Sequence, residues 1–290
     1  MSSLAPRWWS KESGDDKREF YRCNLCFRRC RLEKGRMGHC GVRGVGENGF
    51  ISPALGYFTA CAVDPIEKKP LYHWRPGSRI LSLGSLGCTM DCPFCQNHRI
   101  AHPGGREVPA DALSPEQLLS QTLSLGLDAV AYTYNEPALM SEFILEAGPI
   151  LNEAGIAAVL VTNGLFSREV LDELSPWVDA ANVDVKSFNP QTYSRLGGDL
   201  GMVKGTVEYL INEGIHVELT TLVVPGLNDD PEEFAALCDW AAALSPELPL
   251  HISRYFPAWK YDAPPTDPDL LRRFQKIAAA RLKFTHLGNL

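Results

Sequence analysis

The sequence predicts an α/β fold, a partial (β/α)6 TIM-like barrel with a small N-terminal Cys-rich domain in front of it. Three observations predict it. From Ile80 onward, six short apolar runs alternate with six stretches of helical period. Polar residues collect where each run ends, which is where parallel α/β folds gather their ligands. Seven of the nine cysteines fall in two tight groups, Cys23 to Cys40 and Cys88 to Cys95.

Composition narrows the class. A chain of 290 residues makes one large α/β domain or two smaller ones. A net charge of −7 gives no global basic field for nucleic acid, although a local patch stays open. The first residues, through Trp8, Trp9 and Lys11 to Arg18, lack the apolar core of a signal peptide. No run approaches the ~18 apolar residues of a membrane helix. A cytoplasmic protein is expected, with no membrane partner. In such a chain, clustered cysteines indicate metal rather than disulfides. Cys61 and Cys238 stand alone and are expected to be ordinary buried residues.

Residues 1–20 show no periodicity and are expected to form a loose arm; 21–75 form the Cys-rich head and 76–290 the barrel. In the head, Cys23, Cys26, Cys30 and Cys40 could close a tetrahedral site, with Gly35, Gly38 and Gly41 for its turns. Zinc, a second Fe–S cluster and no metal are the alternatives, in that order. His39 is expected to be a bystander, and Arg28, Arg29 and Arg31 a solvated face. Residues 42–62 suggest a short hairpin. The stretch from Asp64 to Gly77 is bracketed by prolines; its Lys68, Lys69 and His73 are chemically ambiguous and suit a surface loop.

Strands are expected at 80–84, 128–133, 156–161, 180–185, 216–224 and 250–255. Helices are expected at about 115–126, 138–154, 167–175, 200–213, 231–244 and 267–282. Ser114-Pro115-Glu116 and Asp230-Pro231-Glu232 place a capping residue before a proline at the first helical position. Periodicity leaves a doubly wound sheet open; the count of units suits the barrel. The strand ends then bring together the cysteine loop, Tyr134 to Pro137, Thr162 to Gly164, Asp184 with Lys186, Pro225 to Asp229, and His251 with Arg254.

Cys88, Cys92 and Cys95 are spaced C-x3-C-x2-C directly after the first run. Three soft thiolates on one loop can hold three irons of a [4Fe–4S] cube and leave the fourth open. Bland roles exist for the other residues. Glu136 could cap the following helix, Asp184 and Lys186 could be a structural ion pair, and His251 could be a satisfied core histidine.

The cysteine loop with Phe94 resembles the signature of the radical SAM enzymes. The Cys23–Cys40 head, the stretch DPIEKKPLYHW, Gln96-Asn97, Ala131 to Pro137, Asn182 to Lys186 and Val223 to Asp229 together resemble glycyl-radical-enzyme activating enzymes such as the pyruvate formate-lyase activases. They are most similar to the radical SAM member of the AmmeMemoRadiSam group. The resemblance implies a [4Fe–4S] cluster on Cys88, Cys92 and Cys95, with S-adenosylmethionine (SAM) on the open iron. It implies contacts to SAM from Phe94, Glu136, Thr162, Asn163, Asp184 and His251, and catalytic roles for Asp184 and Lys186. The acidic residue that helps bind a cation in the activases is here Val161. Reductive cleavage of SAM to a 5′-deoxyadenosyl radical and hydrogen abstraction from a protein or small molecule are the implied chemistry. The implied partners are a flavodoxin- or ferredoxin-type electron donor and Memo-like and AMMECR-type proteins. Members of that group continue beyond Leu287-Gly288-Asn289 with a further cysteine pair, so a function tied to such a tail is not legible in this sequence. The competing expectations are an Fe–S or zinc electron-transfer or scaffold protein without SAM cleavage and, disfavoured by the acidic balance, an RNA-modifying enzyme.

Overall fold

The computed structural model describes residues 4–13, 18–104 and 106–290. The head begins with strands β1 (Trp9–Ser13), β2 (Glu19–Cys23) and β3 (Arg31–Leu32), joined as an antiparallel sheet. Residues 9–13 are therefore a strand and not a loose arm. Their register sets Glu12 beside Arg22 at 2.5 Å, and Trp9 stacks on Phe50 at 5.5 Å, so charge and aromatic burial hold the segment. The hairpin expected within 42–62 is β4 (Gly44–Gly46) with β5 (Gly49–Ile51). Strand β6 (Tyr57–Phe58) pairs with the later β9 (Asp111–Ala112).

One strand of the head belongs to the barrel. β7 (Ala60–Pro65) runs antiparallel to β8 (Arg79–Gly84), the first of the parallel strands. The sheet continues through β10 (Ala129–Tyr132), β11 (Ala157–Thr162), β12 (Ala180–Asp184), β13 (His216–Val223), β14 (Leu250–Arg254) and β15 (Thr285–Gly288). The last of these extends the six expected strands to seven parallel ones. The order follows the chain without reversal, as in a barrel and unlike a doubly wound sheet. Cys61 lies exposed on edge strand β7, contrary to expectation, whereas Cys238 is buried.

The helices cover the outside: α2 (Pro115–Ser124), α3 (Ser141–Glu153), α4 (Arg168–Leu174), α5 (Pro190–Arg195), α6 (Leu200–Asn212), α7 (Pro231–Leu244) and α8 (Pro268–Ala279), after a single turn, α1 (His98–Ala101). Ser114 makes a full capping box with Gln117, and Asp230 caps α7 by accepting from the backbone N–H of Glu232 and Glu233. The period of two sorts each strand between two cores. Leu81, Leu83, Val130, Tyr132, Leu160 and Val183 face the helices.

The inward row is different. Ile80, Ala129, Ala131, Ala157, Val159 and Ala180 form a second cluster with Ile66 and Leu71. The alanines leave room, and residues 66–77 fill it as a plug across the N-terminal mouth. Ile66 and Leu71 are both completely buried, each contributing roughly 1.5–3 kcal/mol. The segment that composition assigned to a surface loop is a closure.

Candidate active site

At the opposite mouth the strand ends surround a cavity of about 350 Å³. Its lining includes Cys88, Cys92 and Cys95 after β8, Tyr134 and Glu136 after β10, Thr162 and Asn163 from β11, and Asp184 and Lys186 from β12.

The cysteine loop is held from several sides. The Cys95 N–H donates to the Cys92 carbonyl at 3.1 Å, closing the turn that carries Pro93 and Phe94. Phe94 is buried, set edge-on against Tyr255 and Tyr261. The Asp91 N–H donates to the Leu196 carbonyl at 2.8 Å, anchoring the loop to α5. Backbone N–H groups of Met90 and Asn97 reach the sulfurs of Cys88 and Cys95, and Asn163 Nδ2 lies 3.7 Å from Cys88 Sγ. Burial pushes all three thiols up, Cys92 to about 12. The Lys186 charge opposes that shift at Cys92 and Cys95.

Glu136 is buried and fully bonded. Oε1 accepts from Thr162 Oγ1 at 2.6 Å and from the Ala138 N–H at 3.1 Å; Oε2 accepts from the Asn163 N–H at 2.9 Å. It is thus a cap, as its bland role required, and also the clamp that fixes the Thr162-Asn163-Gly164 turn. Burial raises its pKa, and the Thr162, Asn163 and Ala138 hydrogen bonds offset the shift only in part. Asp184 and Lys186, two residues apart, share the inward face and form an ion pair through Oδ2. Burial would lower the lysine pKa, but the Asp184 charge outweighs it and leaves it raised. Asp184 Oδ1 is buried and has no hydrogen-bond partner in the chain, which leaves one acceptor for a ligand.

His251 does not line the cavity. It sits one layer below, 2.7 Å from Glu218, with Tyr72 edge-on at 4.6 Å. Glu218 also takes His216 Nε2 at 3.0 Å and the Tyr72 and His73 N–H groups at 3.1 and 2.8 Å. A carboxylate so placed requires the Nε2–H tautomer of both histidines. His251 is a satisfied core histidine that ties β14 to the plug.

Sequence reasoning missed Asp64, Lys69 and Tyr134 as a unit. Lys69 is buried, 2.8 Å from Asp64, and its ammonium lies over the Tyr134 ring at 4.5 Å; the Tyr134 hydroxyl donates to Asp64 at 2.6 Å. Burial lowers the Lys69 pKa, offset in part by Asp64. Tyr134 has φ +67°, a conformation that strains any side chain but glycine. A methyl at Gly84 would stand 2.8 Å from its ring, so Gly84 is what admits it. The available signal was apolar: Ile66 and Leu71 flank the two lysines at positions a solvated loop has no need to make hydrophobic.

Fold and site together define a partial-barrel protein with three thiols at its open end. Residues 83–238 match the radical SAM superfamily, and the chain belongs to it; members of that family are enzymes. An uncharacterized protein of Methanocaldococcus jannaschii is 35% identical over 274 residues, 92% of this chain and 81% of that protein. The pyruvate formate-lyase-activating enzyme of Streptococcus mutans is 24% identical over 70% of this chain and 85% of its own length. A crystal structure of a radical SAM methyltransferase from Sphaerobacter thermophilus shares the fold. Its TM-score is 0.55 at 15% identity, over 96% of this chain and 75% of that one.

Membership implies a [4Fe–4S] cluster and SAM. The residues fit both groups. Three thiols from one loop line one cavity, their sulfurs receive N–H groups, a lysine supplies compensating charge, and an orphaned carboxylate oxygen remains. Among the described residues no helix is long and apolar enough to cross a membrane.

Proposed function

We propose that this chain is a radical SAM enzyme related in action to the glycyl-radical-enzyme activases, working in the cytoplasm. Cys88, Cys92 and Cys95 would hold the [4Fe–4S] cluster. When bound and reduced, the cluster supplies the electron that cleaves SAM to a 5′-deoxyadenosyl radical, which takes hydrogen from a protein or small molecule. The observation that carries this reading is the convergence of three thiols and the Asp184–Lys186 pair on one cavity. Phe94 would fix the thiol loop against the tyrosines behind it. Glu136 would hold the Thr162-Asn163 turn in place, so that the turn can face the methionyl group; positioning of this kind removes much of a barrier. Asp184 Oδ1 would accept from the bound cofactor or substrate, and Lys186 would balance the charge of the thiolates. His251, bonded to Glu218, is left out of this set.

Membership of the AmmeMemoRadiSam group belongs to the same proposal, with Memo-like and AMMECR-type proteins as partners and a flavodoxin or ferredoxin as electron donor. The test is anaerobic reconstitution, reduction in the presence of SAM, and assay for 5′-deoxyadenosine. A reconstituted cluster that cleaves no SAM with dithionite, with titanium citrate or with reduced flavodoxin would sink the proposal and favour an electron-transfer or scaffold protein.

A further inference from the structure

We infer that Cys23, Cys26, Cys30 and Cys40 form a site for a single tetrahedral zinc ion, and that this ion braces the back of the Cys88 loop. The inference stands apart from SAM cleavage, because its residues share no thiol with the cavity above.

The four cysteines come from separate turns of the head, yet all line one small cavity, together with Gly38, Arg43 and Thr89. All four thiols are free. The cavity measures about 10 Å³, room for one water-sized body. Four irons and four sulfides do not fit such a space, whereas a single ion does. Size therefore decides between the two metals that spacing left open. No group of three or more ligating side chains among the described residues stands as a ready-made ion site. Binding must accordingly draw the thiols inward, and the short turns that carry them permit it. The Cys23 N–H donates to the Cys30 carbonyl at 2.9 Å, and Gly41, at φ +73°, turns the chain directly after Cys40.

Two features are those of a thiolate site rather than of a plain core. First, backbone N–H groups point at sulfur: Arg28 at Cys26, and Val42 and Arg43 at Cys40. Such bonds stabilise thiolates and have little value to thiols. Second, a guanidinium is buried against them. Arg43 is 1% exposed and interacts with Cys23. Its Nη1 donates to Glu142 at 2.5 Å and its Nη2 to the Arg7 carbonyl, while its Nε lacks an acceptor in hydrogen-bond geometry. Four thiolates around a divalent ion carry a net charge of about −2, and a neighbouring buried cation compensates part of it.

The bracing is visible in the contacts. Thr89, one residue past Cys88, lines the small cavity, and its carbonyl accepts from Arg28 Nε at 2.7 Å. Arg28 Nη2 reaches the Gly197 carbonyl at 2.6 Å, and His39 Nε2 lies 2.8 Å from Asp91. A methyl at Gly87 would fall 2.7 Å from the Cys40 carbonyl, so the turn carrying Cys40 rests directly on the start of the cluster loop.

The test uses the full chain carrying Cys88→Ala, Cys92→Ala and Cys95→Ala together, expressed with both iron and zinc supplied. The expected result is ~1 zinc per chain with no stoichiometric iron, and a cobalt-loaded form with the absorption of a tetrahedral tetrathiolate. Loss of that metal on adding Cys26→Ser and Cys40→Ser completes it. Iron at one or four per chain, or no metal, overturns the assignment. If the triple variant fails to fold, native wild-type protein answers instead. The four head thiols should resist alkylation until a strong chelator removes zinc, and removal should lower the melting temperature. Ready alkylation of all four without chelator overturns the site.

Discussion

At the closed mouth of the barrel, Glu218 receives four donors on its two oxygens, two imidazoles and two backbone N–H groups. At the open mouth, Asp184 holds one lysine on Oδ2 and leaves Oδ1 buried and bare. Both are inward-facing carboxylates on neighbouring parallel strands. The difference separates structure from chemistry. A carboxylate whose acceptors are all used can only hold the fold, whereas one with a free acceptor can take a ligand. A strand-end rule applied to sequence does not make that distinction, because it counts polar residues without counting their partners.

The contrast can be broken by exchanging its two ends. Lys186→Met at the open mouth should lower the rate of SAM cleavage by about 10²–10³-fold, since it removes preorganised charge beside Cys92 and Cys95. The melting temperature should change little by comparison. A variant that cleaves SAM at the parent rate would return the Asp184–Lys186 pair to a structural role. Glu218→Gln should do the reverse. It breaks a buried ion-pair network at a cost of ~3–5 kcal/mol, read from urea unfolding. Activity per folded molecule should stay within about twofold. A large loss of turnover in folded protein would mean that the closed end also serves the chemistry.

The two buried glutamates should give opposite pH slopes. Burial would raise the Glu218 pKa, but its hydrogen bonds outweigh that and hold it well below its ordinary 4.5. Its stabilisation is therefore complete above pH 4.5 and is lost as pH falls below that value. The Glu136 pKa is raised by burial. Its contribution is fullest below pH 4.5 and declines as pH rises toward its folded pKa. Urea midpoints measured against pH should lose the acid-side slope in Glu218→Gln and the slope above 4.5 in Glu136→Gln. Identical profiles in both variants and the parent would contradict the assignment. The smallest effect is expected at Lys68, which is 67% exposed beside its buried neighbour Lys69. Lys68→Ala should stay within ~0.5 kcal/mol in the same unfolding assay. A larger loss would show that its bond to Asp64 matters as much as that of Lys69.

The barrel was legible because its signals are local. Apolar runs of period two, helices of period 3.6 and proline after a capping residue each lie within a dozen residues, and β8 with β10 to β14 appeared at the expected places. The three thiols were legible for the same reason. What escaped depends on partners far away in the chain. β15 has a burial pattern that is intermediate throughout, so it shows neither the apolar run nor the alternation of a core strand. Lys69 looked solvated because its counter-ion Asp64 is near in sequence, while the Tyr134 ring beneath it is not. His251 matched a familiar position, and only the arrival of Glu218 and the plug assigns it to the floor.

That floor has a consequence for how the chain is made. The N–H groups of Tyr72 and His73 bond to a carboxylate 146 and 145 residues further along. At ordinary rates of synthesis the plug waits roughly 7 to 30 s for the strand that secures it. Ile66 and Leu71, wholly buried in the finished protein, have no barrel to enter during that interval. The nascent chain offers an apolar handle for a holding chaperone over that window, and translation past Glu218 is what withdraws it.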